Sequence, residues 1–224
     1  MMINMSYIRV KFLPFYLLIS AGCTTVTIEE VQHTEATLVE GESVVVIGRR
    51  TSNDYETEPE LISCIGKVLS KGDNQLNVIP EQTFMDNLYP WFEPRTAPLR
   101  VRDLQRLLAY DAVSQKFDDF NVHYIIWIDG NTETTRSSGS ITCSLGTGGI
   151  GCFGFGTWDK KAEYEASIWD YKNKKLIGKV SSEADGTSYM PAIVIPIPII
   201  AQVQADACKG MAVQLKHFFN NSQG

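Results

Sequence analysis

Apolar residues recur along this chain at two spacings, and the switches between them lay out a run of strands and helices. Residues 43–48 form a continuous β-branched stretch closed by Gly48, the pattern of a buried strand. Leu61, Ile62, Ile65, Val68 and Leu69 then recur at helical spacing. Thr57 and Glu60 are spaced as a capping box, Pro59 falls in the first turn, and Gly72 supplies a stop. A short strand is expected over 76–79, and Pro80 opens a second helix running to about Leu88. Residues 88–94 contain Pro90 and Pro94 and read as loop. Residues 101–118 read as one helix, with Leu104, Leu107, Leu108 and Ala112 on its apolar face. The strongest strand signal is 122–128, expected to end at Asp129 and Gly130. Tyr164, Ala166 and Ile168 alternate with Glu163, Glu165 and Ser167, as in a strand wet on one face. A turn over 171–174 returns the chain through 176–180. After a proline-broken apolar loop, 201–219 forms the last helix, with Cys208, Met211, Ala212, Leu215 and Phe219 as its stripe.

The order of these elements predicts an α/β fold: a mixed, partly antiparallel sheet with helices packed on it and a C-terminal helix closing the domain. Residues 42–224 form that single domain. Residues 24–41 are polar with little periodicity and read as a tether from position 23 to 41, although β-branched 24–28 also permits an edge strand.

The first residues change the picture from a plain soluble domain. Arg9 and Lys11 precede a short apolar stretch at 12–19, and Ser20, Ala21, Gly22 and Cys23 follow. This is the layout of a signal peptide spanning 1–22, too short to cross a bilayer as a helix. The end of the stretch resembles the bacterial lipobox, with Ser20 where leucine is commonest. The resemblance implies cleavage before Cys23 and lipid on its sulfur, and Thr24 in the following position implies retention at the outer membrane. Two or three acyl chains hold a protein stably on a membrane. Loss of 1–22 removes Arg9 and Lys11 and no acid, so an already negative chain (−6) becomes more acidic. Such a domain repels phosphate backbones, and nucleic acid is excluded as a partner.

With Cys23 assigned to lipid, Cys64, Cys143, Cys152 and Cys208 remain, an even number suited to an oxidising compartment. None is spaced as a metal knuckle, and His33, His123 and His217 are scattered, so no metal and no cofactor is expected. Cys143 and Cys152 flank a glycine-rich stretch that a hairpin would close. Cys64 and Cys208 each lie on the apolar face of a helix. The expected pairing is therefore Cys64 with Cys208 and Cys143 with Cys152; the alternative is buried free thiols.

Catalytic arrangements are sparse. The 146–151 run (Gly-Thr-Gly-Gly-Ile-Gly) lacks the Lys-Ser/Thr of a phosphate loop and reads as a flexible hairpin tip. Glu163 and Glu165 share a strand face at the separation of a carboxylate pair, but a solvated face accounts for them. The lone strand residue His123 reads as structural. A better candidate surface is the loop carrying Tyr89, Trp91, Phe92 and Arg95: aromatic residues dominate binding hot spots, and proline lowers the entropy lost on docking. The same Trp91 and Phe92 equally fit a role as core plugs under the loop. A second candidate is the apolar stretch 190–200, where Pro191, Pro196 and Pro198 forbid a central strand.

The strand and capped helix at 43–72, the strand ending at Asp129-Gly130, the hairpin at 168–178 and the closing helix together resemble envelope lipoproteins whose domain is like the amino-terminal domain of TolB. That group includes the curli-secretion lipoprotein and the activators of peptidoglycan synthases. The resemblance covers roughly 43–220 and implies binding rather than catalysis. The expected function is thus a non-catalytic adaptor or activator on the periplasmic face of the outer membrane, binding an envelope protein or cell-wall partner. The alternative is a subunit of an oligomeric outer-membrane secretion channel, for which 146–151 offers few lipid-facing residues; a periplasmic hydrolase comes third. If Cys23 carries the anchor, Cys23→Ser releases the mature chain from membranes, and retention of that variant after high-salt washing would rule the anchor out.

Overall fold

A six-stranded mixed sheet, in the order β1-β6-β5-β4-β2-β3, carries helices on both faces. The computed structural model describes residues 24–50, 57–93, 96–98, 101–147 and 149–220. Along the chain run β1 (Thr24–Gln32), β2 (Ser43–Gly48), α1 (Pro59–Leu69), β3 (Val78–Ile79), α2 (Glu81–Asn87), α3 (Val101–Leu107), α4 (Asp111–Asp119), β4 (Val122–Gly146), β5 (Gly149–Asp170), β6 (Lys175–Pro196) and α5 (Val203–Asn220). β2 is parallel to β3 and β4, while β4, β5, β6 and β1 follow one another antiparallel. The α/β class, the mixed sheet and the closing helix are as the sequence predicts.

Strand periodicity sorts the core into two layers. Tyr124, Ile126 and Ile128 face one side with Tyr164, Ala166 and Ile168, and are covered by Leu61, Ile65 and Leu69 of α1 and by Met211, Leu215 and Phe219 of α5. Ile125, Trp127 and Trp169 face the other side, under Phe84 of α2, Leu104 of α3, and Val113 and Phe117 of α4. Phe84 anchors that second layer, meeting Phe92 and Phe117 edge to face.

Several expectations need correction. The tether is in part a strand: Thr24–Gln32 pairs with β6 from Thr24↔Gly186 to Gln32↔Gly178. The β-branched start of this segment found an unpaired edge, so the folded body begins at Thr24 rather than at 42. The capping box does not close. Glu58 occupies the N-cap position without a side-chain cap, and Thr57 donates its hydroxyl to the Ile128 carbonyl at 3.1 Å. The helix expected over 101–118 is two helices. Its buried positions are Leu104, Leu108, Val113 and Phe117, and the five-residue step from 108 to 113 breaks the helical register at Tyr110. Asp129 and Gly130 do not end their strand. Gly130 has φ 121°, and a Cβ there would lie 2.0 Å from the Glu163 carbonyl, so this glycine lets β4 pass close to β5 and continue to Gly146.

Both expected disulfides are present. α1 and α5 lie side by side, and Cys64 and Cys208 are bridged with Cα atoms 6.3 Å apart. Cys143 and Cys152 stand directly opposite in the β4–β5 ladder and are bridged across it, Cα atoms 4.0 Å apart. The first bridge spans 144 residues and the second nine. Loop-closure entropy then makes the two unequal: the Cys64→Ala/Cys208→Ala pair should lower the urea unfolding free energy by about 4–5 kcal/mol, and Cys143→Ala/Cys152→Ala by about 2–3 kcal/mol. Equal losses would show that the bridges act through native strain or packing instead.

Candidate functional site

Beyond the helices, β4, β5 and β6 continue together as a three-stranded finger. Its base is the row Arg136–Asp159–Thr187, where Thr187 donates its hydroxyl to the Asp159 carboxylate at 2.7 Å. From there β4 and β5 remain in register from Ser137↔Trp158 to Gly146↔Gly149. β6 accompanies β5 as far as Val194, and then folds back so that Tyr189 and Ile199 exchange both backbone hydrogen bonds, at 2.7 and 2.8 Å. The glycine-rich run at 146–151 lies at the end of the β4–β5 hairpin, as its sequence suggests, and the Cys143–Cys152 bridge pins the ribbon just below it. Farther down the ribbon glycine permits close approach, since a Cβ at Gly139, φ 95°, would meet the Phe155 carbonyl at 2.1 Å, whereas Gly146 and Gly149 at the end have nothing within 4 Å. Pro191 and Pro196 are tolerated because β6 is an edge strand here, β1 having paired only as far as Gly186.

The finger gathers most of the large apolar residues that the protein leaves exposed. Leu145 is 83% exposed, Ile150 67% and Ile193 79%; Phe153, Phe155, Val194, Ile195, Ile197 and Ile200 are exposed with them. Neither 137–158 nor 186–205 contains a single Asp, Glu, Lys or Arg. On β4 the two faces differ: Ile141, Cys143 and Leu145 point one way, and Ser140, Thr142 and Ser144 the other. The apolar 190–200 stretch, the second candidate surface in the sequence, falls on this finger, while 146–151 by itself offers few lipid-facing residues. The missing signal was the pairing of two segments some forty residues apart, each uncharged.

Below the finger the same sheet is open and charged. Lys161 bridges Glu163 and Glu183, Lys179 meets Glu165 at 2.7 Å, and Arg49 meets Asp129 at 2.8 Å. Glu163 and Glu165 are therefore members of a solvated ion-pair lattice, not an isolated carboxylate pair. On the opposite side Glu58 accepts hydrogen bonds from the Thr132 amide at 2.7 Å and from the Tyr164 hydroxyl at 3.0 Å. Burial, with Glu58 nearby, pushes the Tyr164 phenol up from its ordinary value.

His123 sits between two carboxylates, 2.6 Å from Glu42 and 3.7 Å from Asp170, and stacks on Tyr124. Desolvation pushes the Glu42 carboxyl up, but hydrogen bonds from Lys172, the Val39 amide and His123 outweigh it and hold the group down at about 2. Glu42 thereby ties the loop before β2 to β4 and to the β5–β6 turn. An apolar cleft of about 390 Å³ lies between α1 and the start of α2, lined by Val46, Ile62 and Val78. Its carboxylate, Glu81, accepts from the Gly48 amide at 2.9 Å and faces Arg50 at 3.6 Å, and so serves the fold. Among the described residues, no cluster of His, Cys, Asp and Glu has the arrangement of a metal site, and no helix is long and apolar enough to cross a membrane.

The sequence-predicted site residues do not converge. Cys23 and Arg95 lie outside the described residues. On the aromatic loop, Tyr89 is 66% exposed, Trp91 is half-buried against the second core layer, and Phe92 is 4% exposed. Phe92 as a partner-binding residue is corrected: it plugs the core under the loop, edge-on to Phe84. The two bridged cysteine pairs stand far apart, one between helices and the other in the finger.

No family model matches the chain, and no curated protein matches it. Among solved structures, two crystal forms of the PelC dodecamer from Paraburkholderia phytofirmans are similar. The first, a single-residue variant, is 12% identical, with a TM-score of 0.42, covering 87% of this chain and 98% of PelC. The second is also 12% identical, with a TM-score of 0.41, covering 87% and 97%. Likeness at this level assigns neither a function nor an assembly to the chain.

The loop makes a clean contrast. Phe92→Ala should cost about 3–5 kcal/mol as a buried large-to-small change, while Tyr89→Ala should stay within about 0.5 kcal/mol. Chemical denaturation of the two variants checks both, and a near-neutral Phe92→Ala would return that ring to the surface.

Proposed function

We propose that this protein is a periplasmic lipoprotein of the outer membrane, held by lipid on Cys23, that works as a non-catalytic adaptor for an envelope partner. The observation that carries the reading is the finger: a disulfide-pinned arm whose exposed apolar residues the other described residues leave uncovered. Exposed apolar area of this kind marks a contact site. The adjoining ion-pair lattice supports the same reading, since it leaves an open, solvated sheet face beside the arm. Histidine and carboxylate groups that a hydrolase would use are engaged in holding loops to strands. Exported disulfides and the signal layout at 1–23 fit the compartment.

A photo-crosslinking residue placed in turn at Glu165, Glu183, Phe153 and Phe155 in intact cells tests the adaptor role. At least one position should yield a discrete protein adduct, identified by mass spectrometry. If none of the four captures a protein, the adaptor reading fails.

A second reading, a subunit of an oligomeric secretion channel, draws on the length of the uncharged β4–β5 ribbon, which matches the roughly 9–11 residues of a membrane-spanning strand. Size exclusion of the detergent-solubilised protein separates the two, a large ring favouring the channel.

A further inference from the structure

We infer that the outer edge of β4, from Ser137 to Gly146, receives an extended segment of a partner protein as an added strand, with a carboxylate of that segment on Arg136. The inference rests on the adaptor reading and names the chemistry of the partner.

The backbone is the first argument. A Cβ at Gly154 would meet the Ser140 carbonyl at 2.2 Å, and one at Gly139 would meet the Phe155 carbonyl at 2.1 Å. Both carbonyls therefore point into the seam between β4 and β5. Along an antiparallel pair such groups alternate between the two sides of a strand. The amides and carbonyls of Ile141, Cys143 and Leu145 accordingly turn away from β5, and among the described residues no strand meets them there. An edge in this state is a template for another strand. The devices that blunt an edge are missing here: 137–146 holds no proline, no lysine and no other charge. The irregularity beside Thr135 lies below it. β6 shows the contrast, since the segment returning through Ile199 covers its outer side at Tyr189.

The side chains state what such a strand must be. Ser138, Ser140, Thr142 and Ser144 line one face of the edge, beside Phe155 and Phe153 of β5. Ile141 and Leu145 line the other face, with Ile150 opposite Leu145. Neighbouring strands are stabilised by side-chain pairs of like character across the ladder. The segment that fits alternates hydroxyl or amide side chains with apolar ones and is uncharged along these rows. Its carboxylate belongs at the foot of the edge. Arg136 is exposed there and meets no carboxylate within ion-pair distance among the described residues, its row neighbour Asp159 being engaged by Thr187. A guanidinium so placed takes a carboxylate in a charge-assisted pair, from an acidic side chain or a chain end.

Charge also decides between a partner and a second copy. A second copy laid along the same rows brings its own 137–146, which holds no acid, and leaves Arg136 facing a neutral strand.

The test uses the full lipidated chain in intact cells. A photo-crosslinking residue replaces Ser138, Ser140, Thr142 or Ser144 in turn, and the linked residues of the partner are identified by mass spectrometry. An added strand gives a register: each step of two residues along β4 moves the linked site by two residues along the partner. Ile141→Pro removes an outward amide proton without touching the β4–β5 ladder, and should reduce the adduct formed at 142 by about tenfold, while Ile141→Val leaves it unchanged. Arg136→Glu should reduce the same adduct to a similar extent, and Arg136→Lys should retain most of it. Non-reducing mass analysis shows whether each variant keeps the Cys143–Cys152 bridge. If Ile141→Pro loses it, Arg136→Glu and the register decide. Linked sites that scatter along the partner overturn the inference, as do adducts that survive Arg136→Glu undiminished. So does a register in which the linked chain is a second copy of this protein. The adaptor reading is judged separately, by crosslinkers at Glu165, Glu183, Phe153 and Phe155. Capture of a protein there without a register along the β4 edge leaves the adaptor standing and removes strand addition alone. Capture at none of these positions removes both.

Discussion

One backbone ladder runs from the centre of the core to the far end of the finger. β4 and β5 stay paired from Tyr124↔Asp170 to Gly146↔Gly149, with a single irregularity between Thr134 and Arg136. β6 lies along β5 for most of that distance. The helices hold only the first third of this ribbon. Everything beyond depends on interstrand hydrogen bonds and on the rigid root where β4 is clasped between β2 and β5. Residues in the finger bury little, so its order is borrowed from the body through the ladder. The shift near Thr135 also changes which face β4 presents: even-numbered residues point to the α1/α5 layer below it, and odd-numbered residues share that side above it.

Covalent and ionic ties reinforce this ladder at different depths. The Cys64–Cys208 bridge fastens the first helix to the last on one face, and closes the body regardless of chain order. The Cys143–Cys152 bridge clamps the finger where packing is thinnest. Between them, Lys161 and Lys179 stitch β5 to β6 through Glu183 and Glu165 on the open face. Lys161 is partly exposed there, and its hydrogen bonds to Glu163 and Glu183 raise its affinity for the proton. Exposed pairs of this sort add little stability in water. They keep a bare sheet face soluble while leaving it open.

Much of the body was legible in the sequence because burial on two faces leaves a periodic trace. The run 43–48, the α1 stripe and the α5 stripe each appear where hydrophobic spacing puts them, and the helix-face argument for Cys64 and Cys208 needed only that spacing. What escaped was decided by pairing partners distant in the chain. Thr24–Gln32 looks polar because an edge strand against an open sheet has little to bury. The continuation of β4 past Gly130 is invisible locally, since Thr, Ser and Gly carry no burial pattern and only the opposing Glu163 shows why a glycine stands there. The break at Tyr110 turns on a five-residue step that propensity alone smooths over. Trp91 and Phe92 are adjacent letters that both pack on the second core layer, Trp91 half-buried and Phe92 buried edge-on to Phe84, and nothing local in the sequence separates the two depths.

The two edges of the finger are unlike. β6 is met on its outer side at Tyr189 and Pro191 by the returning segment around Ile197 and Ile199, and Pro196 and Pro198 withhold amide protons there. β4, from Ser137 to Gly146, has no strand on its outer side among the described residues. For strand addition the finger is therefore monovalent: it accepts a neighbour along one rail only. Sheets with two open rails propagate into fibres; a monovalent one stops at a pair. Strand pairing along the finger alone therefore joins no more than two copies, and any larger assembly needs a contact other than that rail.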